Sequence, residues 1–162
     1  MNLADKLNEC SGFPCIFGVV KAAVEKTMGE RRGGLLLGLT DLPSYIGAFH
    51  QVGSNFIVMN KGLLKDVLKT GDGEVINAYV FHILLHEYLH TLGHLDEQQT
   101  HMLSEAISER VLGPRHPATL IAKHGINHVI PEAGKLEYHG DNESWDMDII
   151  QDFEVDDLDY FG

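Results

Sequence analysis

Apolar residues recur at helical spacing in five stretches of the chain and form short continuous runs in three others. The helical spacing predicts helices over residues 15–28, 61–69, 75–92, 97–112 and 118–124. The short runs predict strands over residues 34–39, 45–51 and 55–60, with the last two forming a hairpin or lying as neighbours. One helix, three strands and a series of further helices predict an α+β fold built on a small sheet.

The predicted helix over residues 75–92 differs from the others because it is apolar on almost every side. A helix of that kind is buried at the centre of a domain. Its polar residues need partners inside the protein, since burying a polar group without a hydrogen bond or an opposite charge is costly. The residues to which this applies include His86, Glu87 and His90.

These three residues belong to the run His86-Glu87-Tyr88-Leu89-His90, which has the H-E-x-x-H pattern. Four-residue spacing places both imidazoles on one helix face, one turn apart, where they can chelate one ion. Glu87 lies about 100° further round the helix, so it can hold a metal-bound water without being a ligand. The metal would lower the pKa of that water, and the glutamate would move its proton. The pattern therefore predicts a hydrolytic Zn²⁺ site with His86 and His90 as ligands and Glu87 as general base.

At this motif the chain resembles the zincin metallopeptidases, over about residues 34–93. The resemblance implies a zincin-like domain, in which a small mixed sheet packs on the buried active-site helix and C-terminal helices follow. It also implies that an edge strand of the sheet pairs with the extended backbone of a peptide or protein substrate. On this interpretation the chain is a zinc-dependent metallopeptidase that hydrolyses peptide bonds with Glu87 as the base.

A catalytic zinc usually has three protein ligands, so one is missing from the motif. The residues that follow resemble the metzincin signature with Asp96 in the place of the third histidine, although Asp96 could instead cap the next helix. Glu105 resembles the ligand on the glutamate helix of gluzincins, although it points away from the apolar face of its predicted helix. His116 is a third candidate, as ligand or as donor to the oxyanion, and His94 and His101 are weaker. Asp96 ranks first, then Glu105, then His116.

The acidic residues are distributed unevenly along the chain. The formal net charge is −12, and residues 137–162 hold ten acidic residues and no Lys or Arg, which leaves about −2 for the rest. A length of 162 residues suits one ordinary domain. We therefore divide the chain into a zincin-like metallopeptidase domain over residues 1–136 and an acidic tail over residues 137–162. Nucleic acid is an unexpected partner for such a chain, since phosphate binding needs a basic face.

The N-terminal residues and the cysteines bear on where the protein acts. The first residues lack a basic region that leads into an apolar run, and no stretch approaches the roughly 18 apolar residues of a membrane span. We therefore expect a cytoplasmic protein without a membrane partner. Cys10 and Cys15 are the only cysteines, and we expect a reduced pair, although a disulfide between them is possible.

Large apolar residues are interspersed with the carboxylates of the acidic tail, among them Trp145, Phe153 and Phe161. A disordered tail that aids solubility is one interpretation. Such a tail would not need these residues, and the alternative is that the tail docks on its own cleft or on a basic partner. A tail carboxylate near the metal would keep the enzyme latent, and deleting residues 141–162 would then raise activity.

The rival to the peptidase is a catalytically weak, zinc-stabilised binding module that acts through this tail. A metal hydrolase of non-peptide amides is a third hypothesis.

Overall fold

The computed structural model describes residues 2–130 and 147–154 of the chain. In these residues the protein has seven helices and four strands. In chain order they are α1 (Leu3–Glu9), α2 (Phe13–Met28), β1 (Leu36–Thr40), β2 (Ala48–His50), β3 (Phe56–Asn60), α3 (Lys61–Leu68), α4 (Gly73–Thr91), α5 (Glu97–Leu112), α6 (Pro117–His124), α7 (Ile126–Val129) and β4 (Asp148–Ile149). The chain is therefore a mixed α+β protein, as the order of the predicted elements indicated.

The four strands form one mixed sheet in the order β2, β3, β1, β4. β1 runs parallel to β3, with Gly38 opposite Val58. β2 runs antiparallel to β3, with Phe49 opposite the same Val58, and β4 runs antiparallel to β1. The pairing of the second and third predicted strands is confirmed, and β2 and β4 lie at the two edges of the described sheet.

One buried side chain, that of Asn60, joins the end of β3 to the start of α3. Its Oδ1 accepts hydrogen bonds from the backbone N–H groups of Gly62 and Leu63, which caps the helix. Its Nδ2 donates to the carbonyls of Leu42 and Ile46 in the loop that leads into β2. Asn60 therefore fixes both the entry to α3 and the loop that precedes the edge strand β2.

The central helix is α4, which is 19 residues long. Asp72 caps it by accepting hydrogen bonds from the backbone N–H groups of Glu74 and Val75. The helix contacts α1, α2, α5 and α6 and the strands β2 and β3, so the prediction that it is buried is confirmed. Despite its apolar character, neither α4 nor any other helix in the described residues has the length and hydropathy needed to cross a membrane.

The predicted helices correspond to α2 through α6, and each of their ends lies within two residues of its predicted position. The sequence analysis missed α1, α7 and β4. α1 and α7 are seven and four residues long, which is too short for a clear helical period. β4 is a strand of only two residues, and it forms by pairing with a strand more than a hundred residues earlier.

Residues 147–154 fold back onto the rest of the protein. β4 adds to the edge of β1, and the buried Phe153 ring stacks on Phe17 with ring centroids 4.2 Å apart. Glu154 accepts a hydrogen bond of 2.6 Å from the backbone N–H of Gly34 and lies 3.8 Å from the ammonium of the buried Lys21. This part of the acidic tail therefore docks at the sheet edge opposite β2. The rest of the tail and the proposed boundary after residue 136 lie outside the described residues.

Cys10 and Cys15 form a disulfide. They lie on either side of the corner between α1 and α2, where their Cα atoms are 5.6 Å apart, within the range that a disulfide spans. Our expectation of a reduced pair is therefore wrong. That expectation came from the expected cytoplasmic location of the protein. The number of residues between the two cysteines does not show how far apart they lie in the fold.

Candidate metal centre

α4 places His86 and His90 one turn apart on the same face. Their Nε2 atoms are 3.1 Å apart, and their rings meet edge to face. Glu97 on α5 completes the group, with Oε1 2.7 Å from Nε2 of His90 and Oε2 3.0 Å from Nε2 of His86. The ligand atoms that the three residues offer all lie within 4.8 Å of one another. Two imidazole nitrogens and one carboxylate thus converge on one point, and we call these residues the metal group.

The protonation states of His86 and Glu97 suit a cation. Burial lowers the pKa of His86 and the nearby His90 lowers it further, which together outweigh the opposing effect of Glu97. Burial raises the pKa of Glu97, but His86 and His90 lower it more, so that it falls below its ordinary value. Near neutral pH, His86 is therefore a neutral imidazole and Glu97 a carboxylate. These are the forms in which the two residue types bind metals.

The turn between α4 and α5 decides which acidic residue reaches the histidines. Gly93 has a φ of +103°, which a residue with a side chain rarely adopts, and the chain then turns into α5. Asp96 is the N-cap of α5, and its Oδ1 accepts a hydrogen bond of 2.8 Å from the backbone N–H of Gln99. Glu97 follows Asp96 as the first residue of α5, and its carboxylate reaches both His86 and His90. The structure therefore puts Glu97 in the metal group in place of Asp96, which we ranked first.

The two lower-ranked candidates also lie outside the metal group. His116 is the N-cap of α6, where its Nδ1 accepts a hydrogen bond from the backbone N–H of Ala118. Its Nε2 lies 2.9 Å from Oδ1 of Asn8, so both ring nitrogens are engaged. Glu105 is half-buried on α5, two turns beyond Glu97. Neither His116 nor Glu105 therefore contributes to this site as the structure stands.

The backbone carbonyl of His94 fixes the orientation of the His90 ring. It accepts a hydrogen bond of 2.7 Å from Nδ1 of His90, which directs the other ring nitrogen, Nε2, into the metal group. The same carbonyl accepts a hydrogen bond of 2.9 Å from Thr100 on α5. The His94 ring in turn lies 3.0 and 3.2 Å from the two carboxylate oxygens of Glu30. Metal-binding histidines usually have a second partner of this kind, so the arrangement fits a metal centre.

Glu87 is buried directly beside the metal group. Burial raises its pKa to about 7, against an opposing effect of His90. Its Oε2 is buried and has no hydrogen-bond partner within the described part of the chain. A carboxyl group that titrates near neutral pH can both accept a proton and return it. Glu87 therefore has the environment expected of a general base.

A cavity of about 190 Å³ opens beside Glu87, His90 and Glu97. Its other walls come from Leu95 and from the edge strand β2 with the turn after it, through Ala48, Phe49, His50 and Val52. In the described sheet β2 pairs with β3 along one side only, so its outer side presents backbone groups that an extended chain can pair with. The cavity can therefore hold a small group against Glu87, next to an open strand edge.

His82 extends the row of histidines on α4 by one turn and was missed in the sequence analysis. Burial lowers its pKa to about 4, with further contributions from the nearby His86 and His101. Its Nδ1 is buried and has no hydrogen-bond partner among the described residues. The ring is neutral at physiological pH and therefore adds no positive charge next to the metal group. The four-residue spacing from His82 to His86 was the feature of the sequence that could have identified His82 as a neighbour of the metal group.

Substitution of Glu97 should weaken metal binding, whereas substitution of Asp96 should not. Glu97→Gln removes the carboxylate charge, and we expect the dissociation constant for zinc to rise about a hundredfold. Asp96→Asn keeps a side chain that caps helices well, so the zinc affinity should stay within about threefold. Competition with a chromogenic chelator measures both affinities, and thermal melting checks the fold. A larger loss of zinc affinity in Asp96→Asn than in Glu97→Gln would show that Asp96, and not Glu97, is the third ligand.

No protein-family model, curated protein or solved structure matches this chain. The case for the metal centre therefore comes from the geometry of the chain itself. A signal for Glu97 was present in the sequence. If Asp96 caps α5, its side chain is occupied by the backbone, and the adjacent Glu97 becomes the acidic residue available to the histidines. No comparable signal pointed to Glu30, because it lies in the connection after α2, far from the motif in sequence.

Proposed function

We propose that this protein is a zinc-dependent metallopeptidase with a zincin-like active site. The observation that carries the proposal is the convergence of His86, His90 and Glu97 beside a buried Glu87 oxygen that has no hydrogen-bond partner among the described residues. Catalytic zinc sites commonly have three protein donors and one open position, with an acidic residue close by. The position of the edge strand β2 along the cavity beside Glu87 supports the same proposal.

The donor set fits zinc better than magnesium or calcium. Zinc accepts imidazole nitrogen and carboxylate oxygen together, whereas magnesium and calcium prefer oxygen ligands alone. Nε2 of His86, Nε2 of His90 and the Glu97 carboxylate oxygens lie 2.7 to 3.1 Å from one another, so that one ion could contact all three residues. His86, His90 and Glu97 would hold the ion. When bound, zinc lowers the pKa of a water molecule and polarises a substrate carbonyl.

Glu87 performs the proton transfers of the proposed reaction. Its carboxylate accepts a proton from the attacking water and returns that proton to the amine nitrogen that leaves as the peptide bond breaks. Burial raises the pKa of Glu87, and the charge of a bound zinc ion would lower it again, so that Glu87 would be a carboxylate ready to accept a proton near neutral pH. Its place in α4, one residue after His86, holds the carboxylate beside the metal group without making it a member.

An extended peptide or an unfolded segment of protein is the substrate that suits this geometry. Such a chain can pair through its backbone with the outer side of β2, which runs along the cavity. Phe49, Val52 and Leu95 line the same cavity and are exposed. We therefore expect the enzyme to favour substrates with apolar side chains near the scissile bond.

Zinc content and peptide hydrolysis test the proposal together. Purified protein should contain about one zinc ion per chain. The double variant His86→Ala/His90→Ala should contain none, because a lone carboxylate holds zinc weakly. His124→Ala, on α6, is the matched control and should keep the metal. The zinc-loaded protein should cleave an unfolded protein or a peptide library, and mass spectrometry would identify the new termini.

Each part of this experiment can fail separately. Stoichiometric zinc in the double variant would show that His86 and His90 are not the ligands. Zinc that depends on both histidines, without hydrolysis of any peptide, would favour a zinc-stabilised binding module that acts through the acidic tail. Hydrolysis of simple amides in the absence of peptide cleavage would indicate that the substrate is a non-peptide amide.

A further inference from the structure

A second cavity, of about 440 Å³, lies between the corner of α1 and α2, helix α3 and the N-terminal half of α4. Its walls are mainly apolar and include Phe13, Ile16, Leu39, Leu64, Ile76 and Val80. It shares no lining residue with the cavity beside Glu87. Its volume lies within the range of roughly 300 to 1,000 Å³ that is typical of small-molecule sites. We call it the lysine-rimmed cavity, because it is a separate site with two lysines at its edge.

Those two lysines, Lys61 and Lys65, lie on α3 and line the cavity. Lys61 Nζ is 2.6 Å from Oδ2 of Asp148 in β4. The hydrogen bond and charge of Lys61 lower the pKa of Asp148, and the charge of Lys65 contributes in the same direction. The edge of this cavity therefore already stabilises one carboxylate, that of Asp148.

We propose that the lysine-rimmed cavity binds a single-chain amphiphile with a carboxylate head group, such as a free fatty acid. The alkyl chain lies against Ile16, Leu64 and Val80, and the carboxylate lies at the rim near Lys65, which is exposed. Lys61 is already paired with Asp148, so the preference for a carboxylate rests on Lys65. A wholly apolar ligand would make no use of the Lys65 ammonium, and a cationic head group beside it would be repelled. The inference does not depend on the metal group or on peptidase activity.

A series of fatty acids of increasing length tests the apolar part of the site. Octanoate, decanoate and dodecanoate are titrated into the full-length protein by calorimetry, each below its micelle concentration. Burial of methylene groups should tighten binding roughly tenfold for each two that are added. Dodecyltrimethylammonium has the same chain length with the opposite charge and should bind at least about tenfold more weakly than dodecanoate.

Substitutions on α3 and α4 test the location. Lys65→Gln should weaken dodecanoate binding about fivefold or more, whereas Lys69→Gln, which follows α3 and does not line the cavity, should leave it unchanged. Ile76→Trp places a larger side chain at a partly buried wall position and should remove binding. Circular dichroism confirms that each variant is folded.

The inference requires three results together: affinity that rises with chain length, preference for the carboxylate, and sensitivity to Lys65 but not to Lys69. Affinity independent of chain length would contradict an alkyl chain in the cavity. Equal binding of the cationic amphiphile, or equal weakening by Lys65→Gln and Lys69→Gln, would contradict the role of the rim. Failure of all three acids to bind would overturn the inference and leave the cavity to another occupant, such as an apolar side chain of a protein partner.

Discussion

Replacing Glu87 by glutamine should lower kcat/KM for peptide cleavage by at least about a thousandfold and leave the zinc content unchanged. Glutamine has nearly the shape of glutamate, but its amide cannot take a proton from water. Zinc should stay bound because Glu87 is not among the three converging donors. Initial rates and metal analysis on the same zinc-loaded preparation give both quantities. Stability should not fall, because the amide removes a buried carboxyl group whose Oε2 has no partner within the described residues.

Glu105→Gln is the matched control for this experiment. It makes the same chemical change at a half-buried position on α5 that lies outside the metal group. Zinc content and kcat/KM should both stay close to those of the unaltered protein. Nearly full activity in Glu87→Gln would show that another group moves the proton. Loss of zinc from Glu87→Gln would instead place this residue among the ligands.

Ending the chain at residue 146 should destabilise it strongly, whereas ending it after Glu154 should have little effect. The shorter chain lacks β4 and Phe153, a residue that is 2% exposed and whose ring stacks on Phe17. Truncation of a buried phenylalanine to alanine costs roughly 3 to 5 kcal/mol, and we expect Phe153→Ala alone to lower the free energy of unfolding by that amount. Urea unfolding followed by circular dichroism measures the stability of these three variants and of the full-length chain. Equal stability of the shortest and the full-length chain would contradict the docking of β4 and Phe153.

The docked segment also changes how inhibition by the acidic tail should be tested. Deleting residues 141–162 removes Phe153 together with Glu154, which pairs with Lys21. We therefore expect that deletion to destabilise the fold strongly, and not to give the rise in activity expected from the sequence. A chain that ends after Glu154 removes only residues 155–162 and keeps the docked segment. Higher peptidase activity of this chain at equal zinc content would support inhibition by those residues, and equal activity would contradict it.

Patterns within single helices were enough to predict the central helix and the two histidines that lie side by side on it. Apolar residues on every side of α4 predict that it is buried, and the structure confirms this. The four-residue spacing of His86 and His90 places them on one face of any α-helix. The capping of α5 by Asp96 was also predictable, since a cap depends on residues within one turn of one another. Each of these features depends on neighbours in the sequence, so the local sequence reports them.

Packing between separate elements set the features that the sequence analysis missed. Glu97 takes the place expected for Asp96, because the turn at Gly93 fixes how α5 approaches His90, and adjacent helix positions point about 100° apart. The hydrogen bond from Gly34 to Glu154 joins residues 120 positions apart, a distance over which no local pattern extends. Periodicity shows which face of an element is buried. The partner that covers that face depends on the packing of the whole domain, because burial of apolar surface is non-directional and does not specify a partner.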